Sequence, residues 1–336
     1  MGTNRAGGSS GDVSVNPPAA SFSGQNENRR VEIRLELDFK PKSNPPDVLR
    51  TEELLSCLSK RYIDARTKQA SLFLDTVGYE HAKRYLPQSG IMTLRRGHDL
   101  MLFDIEYQSI LLKYIGLFEI AFRARYSRQM AELRGPFAHR DRRNFINRDY
   151  FNGFLATYGL ELSRAISHKG PMRDAYAEYG DLPIWKSVEV MSFGTLSKLY
   201  RNTKSKAVKR NVAEAFGVDP TTLSSWLRTL TLIRNQCAHF SRLAGTSLKS
   251  QPKQIDGVKL STSSHFYIVL LLIRLLHEVS AFEDDPTLNH DVLLIGDISN
   301  LIYQGGEMAQ VAGIPFNWRT AMIQTCEGMG MPLTFD

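Results

Sequence analysis

Residues 100–130 read LMLFDIEYQSILLKYIGLFEIAFRARYSRQM, and this stretch decides the fold class. Its apolar side chains recur at the three- and four-residue spacing of an amphipathic helix. They are Leu102, Ile105, Ile110, Leu111, Ile115, Phe118, Phe122 and Tyr126. The spacing predicts one long helix at the centre of the protein.

Helical periodicity continues through most of the remaining chain. Further helices are predicted at about 150–168, 184–201, 204–216, 220–243, 263–282, 287–302 and 315–327. Asp219 followed by Pro220 is typical of a helix start, because aspartate caps the first amides and proline suits the first turn. Nothing in this part of the chain has the strand-rich pattern of an α/β sheet. The sequence therefore predicts an all-α protein.

The N-terminal region has a different character. Residues 1–30 are dominated by Gly, Ser, Asn and Pro, which predicts a disordered tail because such a segment cannot offset its ordering entropy. Residues 31–38 alternate apolar and charged side chains, as in a half-buried strand or an extended arm. We expect residues 31–100 to form this arm and additional N-terminal helices, and residues 101–336 to form the helical core.

Composition and charge narrow the function classes. The chain has 336 residues, with 42 Lys and Arg against 35 Asp and Glu, and a net charge of +7 favours a polyanionic partner. Three scattered cysteines give neither a disulfide framework nor a thiolate zinc site, and they fit a reducing compartment. No apolar run approaches the ~20 residues of a membrane span. We expect a cytoplasmic protein that does not enter the membrane.

A second stretch, IRNQCAHFSRL (Ile233–Leu243), carries groups suited to phosphodiester chemistry. If it is helical, Asn235, His239 and Arg242 stand at i, i+4 and i+7 and share one face. Arg234 lies just off that face. An imidazole can transfer a proton near neutral pH, and a guanidinium can stabilise the transition state of a phosphoryl group. The same spacing also fits a solvated polar face with one histidine.

Five segments, in chain order, resemble the Abi (abortive-infection) family of HEPN proteins. They are VGYEHAKRYLP (Val77–Pro87), FDIEYQSILLKYIGLFEIAFRARY (Phe103–Tyr126), LPIWKSVEVMSFGTLSKLY (Leu182–Tyr200), RNQCAHFSRL (Arg234–Leu243) and AGIPFNWRTAMI (Ala312–Ile323). The set runs over roughly residues 40–325. The resemblance implies a HEPN-type helical bundle, extended here by the N-terminal helices and the disordered tail.

The resemblance also implies a function. Many HEPN proteins are endoribonucleases that need neither a metal nor a cofactor, and they usually pair so that two motifs face each other. Carried onto this sequence, the catalytic residues are Arg234, Asn235 and His239, and Arg242 contacts RNA. Phe240 departs from the family, which often has a second histidine at that position.

Two further groups of residues are candidates for supporting roles. Glu119 and Arg123, at i and i+4, are either a surface salt bridge or a pair packed beside the motif helix. Residues 201–210 hold five basic side chains and no acid, and residues 134–148 hold five arginines and one aspartate. Such runs are either solvated faces or a track for an RNA backbone. The predicted RNA contacts in the first of these runs are Lys204, Lys206, Lys209 and Arg210.

The sequence supports one main function and an alternative. The main prediction is a metal-independent endoribonuclease that acts as a phage-defence or toxin effector. Its expected partners are RNA, a second copy of the chain, and a neutralising antitoxin that is a protein or a small RNA. The alternative is a non-catalytic nucleic-acid-binding protein, which would bind RNA, or bind DNA through a helix-turn-helix at residues 212–230.

Overall fold

The computed structural model describes residues 50–91, 93–279 and 285–335. Within these ranges the chain forms fourteen α-helices and no β-strand, so the prediction of an all-α helical bundle is confirmed. In chain order the helices are Thr51–Leu58 (α1), Lys68–Val77 (α2), Tyr79–Ala82 (α3), Leu94–Arg134 (α4), Arg148–Ile166 (α5), Pro171–Tyr179 (α6), Ile184–Val190 (α7), Phe193–Asn202 (α8), Lys206–Glu214 (α9), Pro220–Ala238 (α10), Tyr267–His277 (α11), His290–Gly305 (α12), Glu307–Val311 (α13) and Trp318–Glu327 (α14). The predicted tail at 1–30 and strand at 31–38 lie outside the described residues.

The long helix α4 is the centre of the fold, as predicted. It has 41 residues and is therefore about 60 Å long. The hydroxyl of Thr93 caps its start by accepting from the N–H of Arg96 (3.1 Å), and Gly135, with a φ of +93°, ends it. Helices α7, α9, α10, α11 and α12 all pack against α4.

Helix α11 is buried on every side. All residues from Tyr267 to Ile273 are inaccessible to solvent, which explains why this apolar run shows no amphipathic period. None of the helices in the described ranges is both long enough and apolar enough to cross a bilayer.

Helices α1 to α3 build a smaller apolar cluster on the first turns of α4. Its buried members include Tyr62, Phe73 and Tyr85, and Ala244 joins it from the segment that follows α10. The described residues nevertheless form one compact unit. The boundary expected at residue 100 falls inside α4, and it stays a prediction.

Three predicted helices end differently from expectation, and one of them, predicted at 263–282, is the shorter helix Tyr267–His277. The helix predicted at 184–201 is two helices, because Met191 is extended and the hydroxyl of Ser192 caps α8 by accepting from the N–H of Thr195 (3.1 Å). The helix predicted at 220–243 ends at Ala238. The early end of α10 reshapes the candidate site.

Candidate active site

The predicted catalytic residues stand at the C-terminal end of α10. Arg234 and Asn235 lie one turn before its end, and His239 is the cap residue that follows Ala238. The N–H of His239 still donates to the carbonyl of Asn235 (3.1 Å). The expectation that Arg242 shares the same helical face is wrong, because the chain leaves the helix after His239.

Phe240 turns the chain away from α10. Among the described residues it is the only non-glycine residue with a positive φ, at +49°. Its N–H donates to the carbonyl of Cys237 (3.1 Å), and the N–H of Ser241 donates to the carbonyl of Gln236 (2.9 Å). This is the Schellman pattern of helix ending, in which glycine usually occupies the left-handed position. That conformation costs another residue about 1–2 kcal/mol, so the turn beside His239 holds backbone strain.

His239 and Asn235 line a surface cleft of about 290 Å³. Both side chains are exposed, so each can meet a ligand. The segment 248–250 completes the lining, and within it Lys249 is exposed and brings a positive charge to the cleft. The cleft therefore combines a group that can transfer a proton, an amide and a cation.

Arg234 lies on another side of α10. It is not among the residues that line the cleft. Five helical positions separate it from His239, which rotates the two side chains by roughly 140° around the helix axis. Its Nε lies 3.7 Å from Oε2 of Glu119 in α4. Within one chain, the arginine and the histidine of the motif therefore lie on different sides of α10.

The carboxylate of Glu119 contacts two guanidinium groups. Arg123, one turn further along α4, pairs with Oε1, while Arg234 approaches Oε2. The side chains of Glu119 and Arg123 are each only 11% exposed, and Arg123 also donates to the carbonyl of Val188 in α7. This geometry favours the interpretation of a pair packed beside the motif helix over that of a surface salt bridge. One carboxylate shared by two guanidiniums leaves a net positive charge beside α10.

Cys237 lies within the motif but is not suited to nucleophilic chemistry. Its side chain is buried, and burial, with a smaller contribution from the charge of Asp104, raises the pKa of the thiol to about 12. A thiol with that pKa is protonated at neutral pH and is a weak nucleophile. Within the described ranges there is no group of three or more His, Cys, Asp or Glu side chains arranged to hold a metal ion.

Arg242 uses its guanidinium inside the protein. Its Nε donates to the carbonyl of Ala244 (2.6 Å), and its Nη1 donates to the carbonyl of Arg84. The guanidinium also lies over the ring of Tyr85, 5.5 Å from its centroid. These contacts fasten the segment after His239 to the N-terminal helices, and a contact of Arg242 with RNA stays a prediction.

Asp104 of α4 also holds the segment that follows His239 in place. Its carboxylate is fully buried and accepts from the N–H groups of Leu243 (3.0 Å) and Ala244 (2.9 Å). It also accepts from the hydroxyl of Tyr85 (2.8 Å) and the amide of Gln108 (2.9 Å). Burial, and then the charge of Asp104, raise the pKa of Tyr85, which keeps this hydroxyl a donor.

The two basic runs meet in space. The first basic cluster (134–148) and the second basic cluster (201–210) are joined by an antiparallel bridge between Phe145 and Thr203. Further backbone hydrogen bonds of 2.8 Å flank this bridge on both sides. Sequence spacing alone did not predict this contact.

Most predicted RNA contacts of the second basic cluster are accessible. Lys204, Lys206 and Arg210 are exposed. Lys209 differs, because its Nζ donates to the carbonyl of Arg201 (3.3 Å) and is partly buried. Burial, and then the neighbouring charge of Arg201, lower the pKa of Lys209.

Two of the five arginines in the first basic cluster are neutralised by ion pairs within the chain. Arg140 pairs with Asp181, and Arg143 pairs with Asp141, each at 2.8 Å. Arg148 is exposed and has no ion-pair partner among the described residues. This cluster therefore offers fewer free charges than its sequence suggests.

Side chains at the start of α10 that a DNA-reading helix would use contact other parts of the chain, because the hydroxyls of Thr221 and Thr222 donate to Asp219 and the hydroxyl of Ser225 accepts from Lys253. The carboxylate of Asp219 accepts from the N–H groups of Thr221 (2.7 Å) and Thr222 (3.1 Å). The N–H of Lys253 donates to the hydroxyl of Ser225 (2.9 Å), so the segment around residue 253 covers this end of the helix. A recognition helix needs these side chains free to enter the major groove.

Sequence reasoning missed Lys249 and Asp104. No local pattern marks Lys249, which reaches the cleft because the hydroxyl of Thr229 donates to the carbonyl of Ser250 (3.1 Å). Asp104 did carry a signal: together with Gln108 it forms a polar i, i+4 pair on the buried face of a core helix. A buried carboxylate in that position needs hydrogen-bond donors from elsewhere in the fold.

Comparison with known proteins gives the family. A family model described as Abi-like protein matches residues 58–244, more than half of the chain. The chain belongs to the Abi-like protein family. In this Abi-like protein the matched range includes α4 and the whole R-N-x-x-x-H motif, while the segment 312–323 lies beyond it. No curated protein and no solved structure matched the chain. Membership makes this a protein of the abortive-infection type.

Proposed function

We propose that this Abi-like protein is a HEPN-type endoribonuclease that cleaves RNA without a metal ion and acts as a phage-defence or toxin effector. The observation that carries the proposal is the exposed cleft in which His239 and Asn235 lie together at the end of α10. The family, the motif and the net charge of +7 support RNA as the substrate.

The proposed reaction uses the ribose of the substrate as the nucleophile. His239 removes the proton from the 2′-hydroxyl and then donates a proton to the leaving 5′-oxygen. The 2′-oxygen bonds to phosphorus, the bond from phosphorus to the 5′-oxygen breaks, and a 2′,3′-cyclic phosphate and a 5′-hydroxyl result. Asn235 orients either the imidazole or the phosphate.

Arg234 supplies the positive charge that the phosphate needs. Its side chain is 40% exposed, and its two Nη groups form no hydrogen bond to another described residue. Glu119 approaches it from the Nε side and limits its orientation, while Arg123 neutralises the rest of that carboxylate. Arg234 is thus positioned with its outer N–H groups available for a phosphoryl oxygen.

The RNA backbone is proposed to run over the second basic cluster. Lys204, Lys206 and Arg210 are exposed there. Lys209 and Arg242 contribute less, because their charged groups contact backbone carbonyls of the protein. Contacts to phosphates supply affinity without sequence preference.

Two copies of the chain are proposed to form the complete site. Arg234 and His239 of one chain lie on different sides of α10, so a second chain is needed to bring an arginine toward a histidine. The face of α4 next to Glu119 is suited to such a contact, because Gly116 and Ala124 are small and Ile120 is 67% exposed. A two-fold contact would use this same face on both chains.

Solution mass tests the pairing. We expect light scattering at micromolar concentration to give a mass near twice 38.0 kDa. Ile120→Asp should shift the mass toward one chain and remove RNA cleavage, because it places a charge in the interface. Leu160→Asp is the matched control, since Leu160 on α5 is 64% exposed. A monomeric wild type, or a dimer that survives Ile120→Asp unchanged, would contradict the pairing.

A nuclease of this kind must be restrained in the cell that makes it. We therefore include a neutralising antitoxin, either a protein or a small RNA, in the proposal. Covering the cleft that His239 lines would be sufficient for inhibition.

The proposal is tested by incubating purified protein with single-stranded RNA in EDTA. We expect cleavage at the same rate as without the chelator, because the reacting groups are an imidazole and a guanidinium. Cleavage that stops in EDTA and returns with a divalent cation would overturn the mechanism, and intact RNA under all conditions would overturn the activity.

A further inference from the structure

A second cleft lies between α5 and α8 and has no role in the proposed reaction. Its volume is about 540 Å³, larger than that of the cleft beside His239. Tyr150, Phe154 and Thr157 of α5 line it, together with Lys198 of α8. The lining therefore combines aromatic, hydroxyl and cationic side chains.

Tyr150 presents a fixed aromatic ring at this cleft. The guanidinium of Arg201 lies over the ring, 5.3 Å from its centroid, and donates to its hydroxyl. Phe154, one turn further along α5, is buried and stacks on Tyr158 with a centroid distance of 5.6 Å. A ring held in this way binds a planar group at little cost in side-chain entropy.

The charge around the cleft favours an anion. Lys198 is exposed and forms no ion pair with any described residue, and Arg201 adds a second positive charge through its contact with Tyr150. Asp149 is the one acidic residue in the lining. The cleft also adjoins the bridge that joins the two basic clusters, because Asn202 lies in its lining and directly precedes Thr203.

Hydrogen bonds within the protein hold the side-chain amides of Asn147 and Asn202 in fixed positions at the cleft. Oδ1 of Asn202 accepts from the N–H of Asn147 (2.9 Å), and its Nδ2 donates to the carbonyl of Asn147 (3.3 Å). Oδ1 of Asn147 caps α5 by accepting from the N–H of Tyr150 (2.9 Å). Nδ2 of Asn147 has no partner among the described residues, so a fixed donor remains for the edge of a bound group.

We propose that the α5/α8 cleft binds one nucleotide of a single-stranded RNA, with the base against Tyr150 and the phosphate near Lys198. The inference rests on the proposed function, since it adds a subsite to the same substrate. A free nucleotide offers the same chemistry, but Asn202 of the second basic cluster lines the cleft, and Lys204 and Lys206, which follow it closely in the chain, are exposed and suit the further phosphates of an RNA strand. We therefore assign the site to an RNA strand.

The test uses His239→Ala protein, which keeps bound RNA intact under the proposed mechanism. Binding of a fluorescently labelled single-stranded RNA is measured for this protein alone and with Tyr150→Ala or Lys198→Glu added. We expect each addition to weaken binding about tenfold, as for the loss of one stacked base or one phosphate contact. Lys198 is exposed, so its replacement leaves the fold unchanged even if Tyr150→Ala does not.

Tyr303→Ala is the matched control. Tyr303 also lies under an arginine, with Arg319 5.0 Å from its ring centroid and donating to its hydroxyl (2.7 Å), but it does not line the cleft. Equal binding by the Tyr150, Lys198 and Tyr303 variants would overturn the proposal. Saturation by free nucleoside monophosphates at micromolar concentration, with RNA binding unaffected by Tyr150→Ala, would overturn it in favour of a small ligand.

The same data separate this inference from the proposed function. If wild-type protein cleaves RNA but the cleft variants bind it normally, the cleft assignment alone fails. If His239→Ala protein still cleaves RNA while Tyr150→Ala weakens binding, the assignment of the catalytic residue fails and the cleft assignment stands.

Discussion

RNA cleavage by His239→Ala protein should fall by about 10²–10⁴-fold, because the variant lacks the group that transfers the proton. Arg234→Ala should cost about 10²–10³-fold, the usual effect of losing one charged donor to a transition state. His239 is exposed and Arg234 is 40% exposed, so both variants should keep the melting temperature of the wild type. Initial rates on a labelled RNA measure the loss of cleavage in both variants, and calorimetry measures their melting temperatures.

Matched controls are available for both residues. His168 is an exposed histidine, and Arg228 is an exposed arginine on the same helix as Arg234. Alanine at either position should leave the rate within about twofold of the wild type. A non-catalytic nucleic-acid-binding protein predicts a different pattern, in which His239→Ala changes nothing. That outcome would contradict the proposed function.

Asp104→Asn should lower the free energy of unfolding by about 3–5 kcal/mol, the largest stability effect that we expect of a single substitution. The carboxylate is fully buried and accepts four hydrogen bonds, two of them from the backbone of Leu243 and Ala244. An asparagine replaces one acceptor oxygen with an amino group that faces other donors. Urea unfolding followed by circular dichroism gives the difference.

Asp99→Asn is the control for this prediction. Asp99 lies on the same helix, is 42% exposed and pairs with Arg95 at 3.7 Å, so its loss should cost less than about 1 kcal/mol. Equal stability of the two variants would show that the network around Asp104 contributes little.

The helices that were predicted best are those with a strong apolar period. Helix α4 was expected from its stripe of leucine, isoleucine and phenylalanine, and residues such as Leu111, Phe118 and Phe122 are indeed fully buried. The start of α10 was predicted from Asp219 and Pro220, and both occupy the expected cap and first-turn positions. In these places local propensity and tertiary packing favour the same structure.

The errors arose where a local turn interrupts a continuing pattern. Nothing in RNQCAHFSRL marks the end of α10, because Phe240 adopts the left-handed conformation that glycine usually takes. The segment after the turn is held from outside the helix, because the N–H groups of Leu243 and Ala244 donate hydrogen bonds to the carboxylate of Asp104. Local sequence contains no information about such a distant anchor.

The candidate site also combines features that the local sequence predicts with features that depend on distant packing. The motif residues were found from the sequence, because their types and spacing are distinctive. The contact between Glu119 and Arg234, the approach of Lys249 to the cleft and the meeting of the two basic clusters all depend on how distant segments pack.

The ends of the RNA products show whether the ribose or water attacks the phosphate. RNA cleaved in EDTA would be analysed by mass spectrometry, with His239→Ala protein as the blank. We expect a 2′,3′-cyclic phosphate on one product and a 5′-hydroxyl on the other, because the 2′-oxygen is the proposed nucleophile. Products with a 5′-phosphate and a 3′-hydroxyl would show that water attacks the phosphate instead, and the proposed mechanism would be wrong.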